Sequence, residues 1–119
     1  MMSQDDRLEK TNRINQLFDF YEHLLTDKQQ MFLKYYFHDD FSLGEIAAEF
    51  NISRQAIYEH IKRAEHVLEM YEEKLSLLQK YERRNQELDK LREILKDCDL
   101  NQEHTLKITQ ILDQLQIYE

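Results

Sequence analysis

Residues 25–64, LTDKQQMFLKYYFHDDFSLGEIAAEFNISRQAIYEHIKRA, carry the pattern on which the fold turns. Within them, Asn51-Ile52-Ser53 has the chemistry of a tight connection between two helices. Asn accepts the left-handed backbone that closes a helix, Ser is a good N-cap for the next one, and Ile52 between them is expected to tuck into the crossing. Upstream, Ser42 and Glu45 stand in the S-x-x-E spacing of a capping box, opening a helix whose inward face is Leu43, Ile46, Ala47 and Phe50. Small Ala47 suits a close approach of two backbones. Downstream, a second helix buries Ile57, Ile61 and Ala64 and turns Arg54, Gln55, Tyr58, Glu59, Lys62 and Arg63 outward. That outward face is where the recognition helix of a helix-turn-helix carries its contacts.

Working outward, Thr26 and Gln29 form a T-x-x-Q box that starts an earlier helix, with Phe32, Leu33, Tyr36 and Phe37 as its buried stripe and His38-Asp39-Asp40 as its end. Gly44 falls in the first turn of the following helix, where glycine costs less than in mid-helix. Before this region, Leu8, Ile14, Leu17, Phe18, Tyr21 and Leu24 recur at three-and-four spacing, an amphipathic helix over 7–24 preceded by a frayed start at residues 1–6. Beyond Ala64 the seam continues as Leu68, Tyr71, Leu75 and Leu78 and then slips by one residue onto Leu77, Tyr81, Leu88, Leu91 and Leu95. A single helix from Arg54 to Lys96 would be unusually long. The slip therefore predicts a bend or a helix end between Tyr71 and Asn85, or an oligomer contact that supports the length. Residues 97–101 read as a turn, and a last helix from Gln102 to about Tyr118 presents Leu106, Ile108, Ile111, Leu112, Leu115 and Tyr118.

Composition agrees. With 119 residues, one Gly, no Pro and 34% charged side chains, the chain has few built-in breaks and reads as all-α. The organisation expected is a helix-turn-helix domain over residues 1–70 and a C-terminal helical extension over 71–119, used for dimerisation or for packing on the first domain. Cys98 stands alone, which excludes an intramolecular disulfide or a cysteine-built zinc site. No apolar run approaches the length of a membrane span, and the N-terminus lacks the order of a signal peptide, so a cytoplasmic protein is expected. The formal net charge of −8 opposes long-range attraction to phosphate, although Arg54, Lys62 and Arg63 outnumber Glu59 locally.

The register of Leu25, Gln29, Phe32, Leu33 and Tyr36, then Phe41-Ser42, Glu45-Ile46-Ala47, Phe50-Asn51-Ile52-Ser53, Ile57, Ile61 and Arg63-Ala64 resembles region 4 of bacterial sigma factors. Within that superfamily the whole chain is similar to the small YlxM-like proteins of Gram-positive bacteria. The helix-turn-helix part of the match is specific, because capping, turn and core positions agree in register; the tail matches only as a helical pattern. The resemblance implies a sigma region 4-like, DNA-binding-like fold and a regulatory place in or near the signal recognition particle pathway.

No catalytic pattern accompanies it. The five histidines contain no i, i+4 pair, there is no H-E-x-x-H, and phosphate loop and nucleophile elbow are both absent. The expectation is a non-enzyme without cofactor or metal, whose nucleic-acid-facing residues are Arg54, Gln55, Tyr58, Lys62 and Arg63. Tyr58 is open to three uses: stacking on a base or sugar, filling a pocket on a protein, or packing on a neighbouring helix. Two functions stay open. One is a DNA-binding regulator; the other is an adaptor that binds protein or structured RNA of the targeting machinery, such as signal recognition particle RNA. The surplus apolar stripes after Leu68 point to a homodimer.

Overall fold

The computed structural model describes residues 3–116, all of whose regular elements are helical. They divide into two compact units, one ending at Ser76 and one beginning at Leu77.

In the first unit, α1 (Gln4–Tyr21) is followed by a single 3-10 turn (Glu22–Leu24), then α2 (Asp27–Leu33) runs into a π-helical turn (Lys34–His38), and α3 (Leu43–Phe50) and α4 (Arg54–Leu75) form the helix-turn-helix. Three of these helices open on reciprocal capping boxes: Ser3 with Asp6, Thr26 with Gln29, and Ser42 with Glu45. Each box satisfies orphan N–H groups at a helix start and so fixes where the helix begins. Ser3 thereby corrects the expectation of a frayed segment through Asp6. Met1 and Met2 lie outside the described residues.

Asn51 closes α3 in the left-handed region (φ 55°, ψ 43°), and the Ser53 hydroxyl accepts the Ala56 N–H at 3.0 Å to start α4. Ile52 between them is 37% exposed, so it does not tuck into the crossing. Ile46 and Ala47 of α3 with Ile57 and Ile61 of α4 fill that space. The π turn after α2 departs from the regular helix expected there. It places Asp39 N–H on the Lys34 carbonyl at 3.0 Å, Asp40 takes φ 56°, and Phe41 N–H reaches the Tyr35 carbonyl. Widening the turn shifts the stripe by one position, so Phe37 is buried while Tyr36 is only half-buried.

α4 is the hub, touching α1, α2 and α3. Its stripe Ile57, Ile61, Ala64 and Leu68 is buried, together with Ile14, Leu17, Phe18 and Tyr21 of α1 and Phe32 and Leu33 of α2. Each large apolar side chain fully removed from water adds about 1.5–3 kcal/mol, which is why a four-helix unit of this size holds together. Leu8 and Leu24, expected on the α1 stripe, are exposed. Leu8 lies six residues before Ile14, about 120° around the helix from the buried stripe, and Leu24 has left the helix for the 3-10 turn. A buried polar contact crosses the core: Tyr21 donates its hydroxyl to Glu72 at 2.6 Å.

Ser76 ends α4 at φ 56°, ψ 30°, in the interval where the slip of phase predicts a break. Of the expected seam, Leu68 and, beyond the break, Leu78 are buried and Tyr71 is half-buried, but Leu75 at the last turn is exposed.

The second unit is a helical hairpin, α5 (Leu77–Lys96) and α6 (Gln102–Gln116), joined by residues 97–101. Asn101 accepts the His104 N–H at 2.8 Å and caps α6. Arg92 ties the two helices by donating to Asp113 and Gln116, both at 2.8 Å. Leu88 and Leu112 are buried, whereas Leu77, Leu91, Leu106, Ile111 and Leu115 are exposed and Leu95 is half-buried. The expected stripes are thus only partly covered. Tyr118 lies outside the described residues.

Candidate nucleic-acid interface

Because α4 presents Ile57, Ile61 and Ala64 to the core, the opposite arc of its first three turns is left to solvent. Arg54, Gln55, Tyr58, Glu59, Lys62 and Arg63 are all exposed there. They do not form one patch. At 3.6 residues per turn, positions four apart stack into ridges, and Tyr58 and Arg63 lie about 140° apart around the axis.

The first ridge is Arg54, Tyr58 and Lys62. The Lys62 ammonium lies over the Tyr58 ring, 5.5 Å from its centroid, and is 3.4 Å from a Glu65 oxygen. Lys10 of α1 reaches the other Glu65 oxygen, also at 3.4 Å. Two ammonium groups thus share one carboxylate. Burial and the closeness of Lys62 push Lys10 below its ordinary value, and the contact with Lys10, aided by the Glu65 carboxylate, holds Lys62 above its own.

The second ridge is Gln55, Glu59 and Arg63. Gln55 Nε2 donates to Glu59 at 3.5 Å, and the Arg63 guanidinium is 3.5 Å from His60 Nδ1. His60 packs on the Phe32 ring of α2 at 5.2 Å, and its pKa is lowered by burial and then by the Lys28 and Arg63 charges. His60 therefore stays neutral more readily than a free imidazole, and the local positive charge on this side comes from Lys28 and Arg63.

The expected set is thus split between a flank shared with α1 and a flank shared with α2. Sequence reading missed Arg7 and Lys10, which join Tyr58 and Lys62 around a cleft, and Lys28, which accompanies Arg63. The only signal for Lys10 is its position on the flank of the Ile14–Leu17 stripe, and a flank does not say which helix it will meet. Among the described residues no group of three or more His, Cys, Asp or Glu side chains gathers as a metal-ligand set.

Comparison with known proteins agrees with this architecture. The model of a family described as "Putative helix-turn-helix protein, YlxM / p13 like" matches residues 8–112. A UPF0122 protein of Halalkalibacterium halodurans is 52% identical over 109 residues, covering 92% of this chain and 99% of that one. A UPF0122 protein of Bacillus cereus strain AH187 is 48% identical over 108 residues, covering 91% and 98%. The chain belongs to this helix-turn-helix family.

Proposed function

We propose that this member of the YlxM / p13 like family is a non-enzymatic nucleic-acid-binding regulator that docks through the N-terminal half of α4. The observation that carries the reading is the Ser53-capped start of α4, from which Arg54, Gln55, Lys62 and Arg63 all stand exposed on a helix whose other face is locked into the core. A helix so held is rigid enough to enter a groove, and its N-terminal side chains are the ones that reach base edges. Arg7, Lys10 and Lys28 flank the same helix as phosphate contacts, which position a protein without reading sequence.

The acidic body limits the mode of binding. With a net charge of −8, non-specific attraction to duplex is weak, so affinity rests on the few cations brought together at α4. A second reading is an adaptor for protein or structured RNA of the targeting machinery; its protein-binding form is favoured by Glu59, an acid on the outward face that would oppose phosphate. No helix of the described residues is long and apolar enough to cross a membrane, which suits the cytoplasmic setting that either reading requires. The exposed Leu91, Ile94, Leu106, Ile111 and Leu115 on the α5–α6 hairpin support its use in homodimerisation.

The test is a titration of the full chain against duplex DNA and against signal recognition particle RNA over a range of salt. Binding to duplex that weakens with salt is expected. Binding to the RNA alone favours the adaptor, and no binding to either at low salt overturns the nucleic-acid reading.

A further inference from the structure

The cleft beside the first ridge of α4 has a lining that reading a duplex does not require. It is an open hollow of about 570 Å³ between α1, the segment joining α2 to α3, and α4, a size within the range of small-molecule sites. Aromatic rings supply much of its wall. Tyr58 is 45% exposed and Phe41 39% exposed, and Tyr36 is half-buried beside them. The Phe41 ring is held in place by a stacking contact with Tyr35, centroids 5.3 Å apart and planes 28° from parallel. An exposed aromatic ring fixed by its neighbour is a prepared platform, since a ligand stacking on it orders little that is not already ordered.

Charge in the same cleft is in positive surplus. Arg7, Lys10 and Lys62 line it against Asp40 and Glu65. Glu65 is a mostly buried side chain already divided between Lys10 and Lys62, one on each oxygen at 3.4 Å. Two ammonium groups on one carboxylate leave a positive charge incompletely met, next to rings that stack. The depressed pKa of Lys10, caused by burial and by Lys62, agrees with a site that would gain from another anion.

We infer that this cleft binds a phosphorylated nucleoside, either free or as an unpaired residue of a strand, with its base on Tyr58 and Phe41 and its phosphate at Lys10 and Lys62. Stacking tolerates any base because every base offers a π face, and lysine meets phosphate as a point charge without demanding a fixed geometry. A bare anion would leave the rings unused, and an uncharged ring would leave the positive surplus of the cleft unused. The inference stands on the cleft and not on the reading of duplex DNA.

The experiment uses the full chain, titrated separately with adenosine monophosphate, adenosine, inorganic phosphate and a single-stranded tetranucleotide, followed by calorimetry and by amide and tyrosine-ring NMR shifts. Adenosine monophosphate should bind at least roughly tenfold tighter than adenosine or phosphate, with shifts confined to residues of the cleft, since base and phosphate each add a separate contact. Tyr58→Ala should weaken it by about 5- to 150-fold, as loss of one stacking partner does, while Tyr58→Phe retains it. Lys10→Gln should weaken the nucleotide and leave adenosine unchanged, which keeps the test decisive if Tyr58→Ala fails to fold. A tetranucleotide that binds tighter than the mononucleotide assigns the strand as the source, and equal affinity assigns the free nucleotide.

Equal binding of phosphate and nucleotide, or a folded Tyr58→Ala chain with unchanged affinity, overturns the inference. So does failure of both nucleotide and strand to bind. Nucleotide binding without duplex binding would leave the cleft standing and overturn the proposed function, and the reverse result would do the opposite.

Discussion

Arg13 of α1 and Glu69 of α4 meet through two parallel hydrogen bonds, Nε to Oε1 at 2.7 Å and Nη2 to Oε2 at 2.8 Å, across 56 positions of sequence. The fork sits one turn along the same seam as Lys10, Glu65 and Lys62, so it sets the register in which α1 delivers its cations to α4. The Arg13 hydrogen bonds hold the Glu69 carboxyl below its ordinary range, against an opposing effect of burial. A carboxylate depressed in the folded state contributes stability that is present above its unfolded pKa and is lost as pH falls through the folded one. The loss is therefore expected below the ordinary value of 4.5. Both side chains are about half exposed, so solvent screening keeps the contribution to about 0.2–1 kcal/mol. In an NMR pH titration, Arg13→Ala should raise the Glu69 midpoint; an unchanged midpoint would show that the fork does not persist in solution.

The core of the helix-turn-helix makes a sharper stability prediction. Ile57 is fully buried between α4 and its neighbours, so Ile57→Ala should cost about 2–5 kcal/mol in denaturant unfolding. Ala47→Leu should also destabilise, by about 1–3 kcal/mol, because it overpacks the contact of α3 with α4. Ile52→Ala should stay within about 1 kcal/mol, since that side chain is partly in water already. A large loss at Ile52 with little at Ile57 would put α4 in the wrong rotational phase.

Much of this was legible in the sequence for local reasons. Thr26 with Gln29, Ser42 with Glu45, Asn51 and Ser53 all act within three residues of themselves, and each does in the structure what its spacing implies. The break near residue 76 was legible only as an interval: a slip of phase shows that one straight helix cannot serve both stripes, but nothing marks Ser as the residue to go left-handed. The π turn after Leu33 left no signal, because Lys34–His38 is as helical in pattern as what precedes it. Ile52 was misread for a related reason, since apolar character says a residue can be buried and not that a three-residue turn has room beneath it. The candidate interface was half legible. Exposure of Arg54, Gln55, Tyr58, Lys62 and Arg63 follows from the phase of α4, whereas the company of Arg7, Lys10 and Lys28 depends on how α1 and α2 pack, which no local pattern encodes.

The hairpin carries a separate prediction about assembly. Ile94 and Ile111 are among its most exposed apolar side chains, so the full chain should sediment as a dimer at tens of micromolar, about the range in which weak, specific interfaces are populated. Replacing Ile94 and Ile111 together by Lys should return it to a monomer without loss of helical signal. A monomeric wild-type chain at that concentration would rule out the dimer.

The proposed docking of α4 on nucleic acid through a small set of phosphate contacts is tested most directly by the salt dependence of binding. Each phosphate neutralised contributes about −0.9 to the slope of log affinity against log salt on B-form DNA. Three to five contacts drawn from Arg54, Lys62, Arg63 and the flanking cations should therefore give a slope of roughly −2.7 to −4.5. Lys62→Ala and Arg63→Ala should each flatten it by about one while leaving the fold intact, because neither side chain is buried. A measurable affinity whose slope is the same in wild type and in both variants would contradict the account.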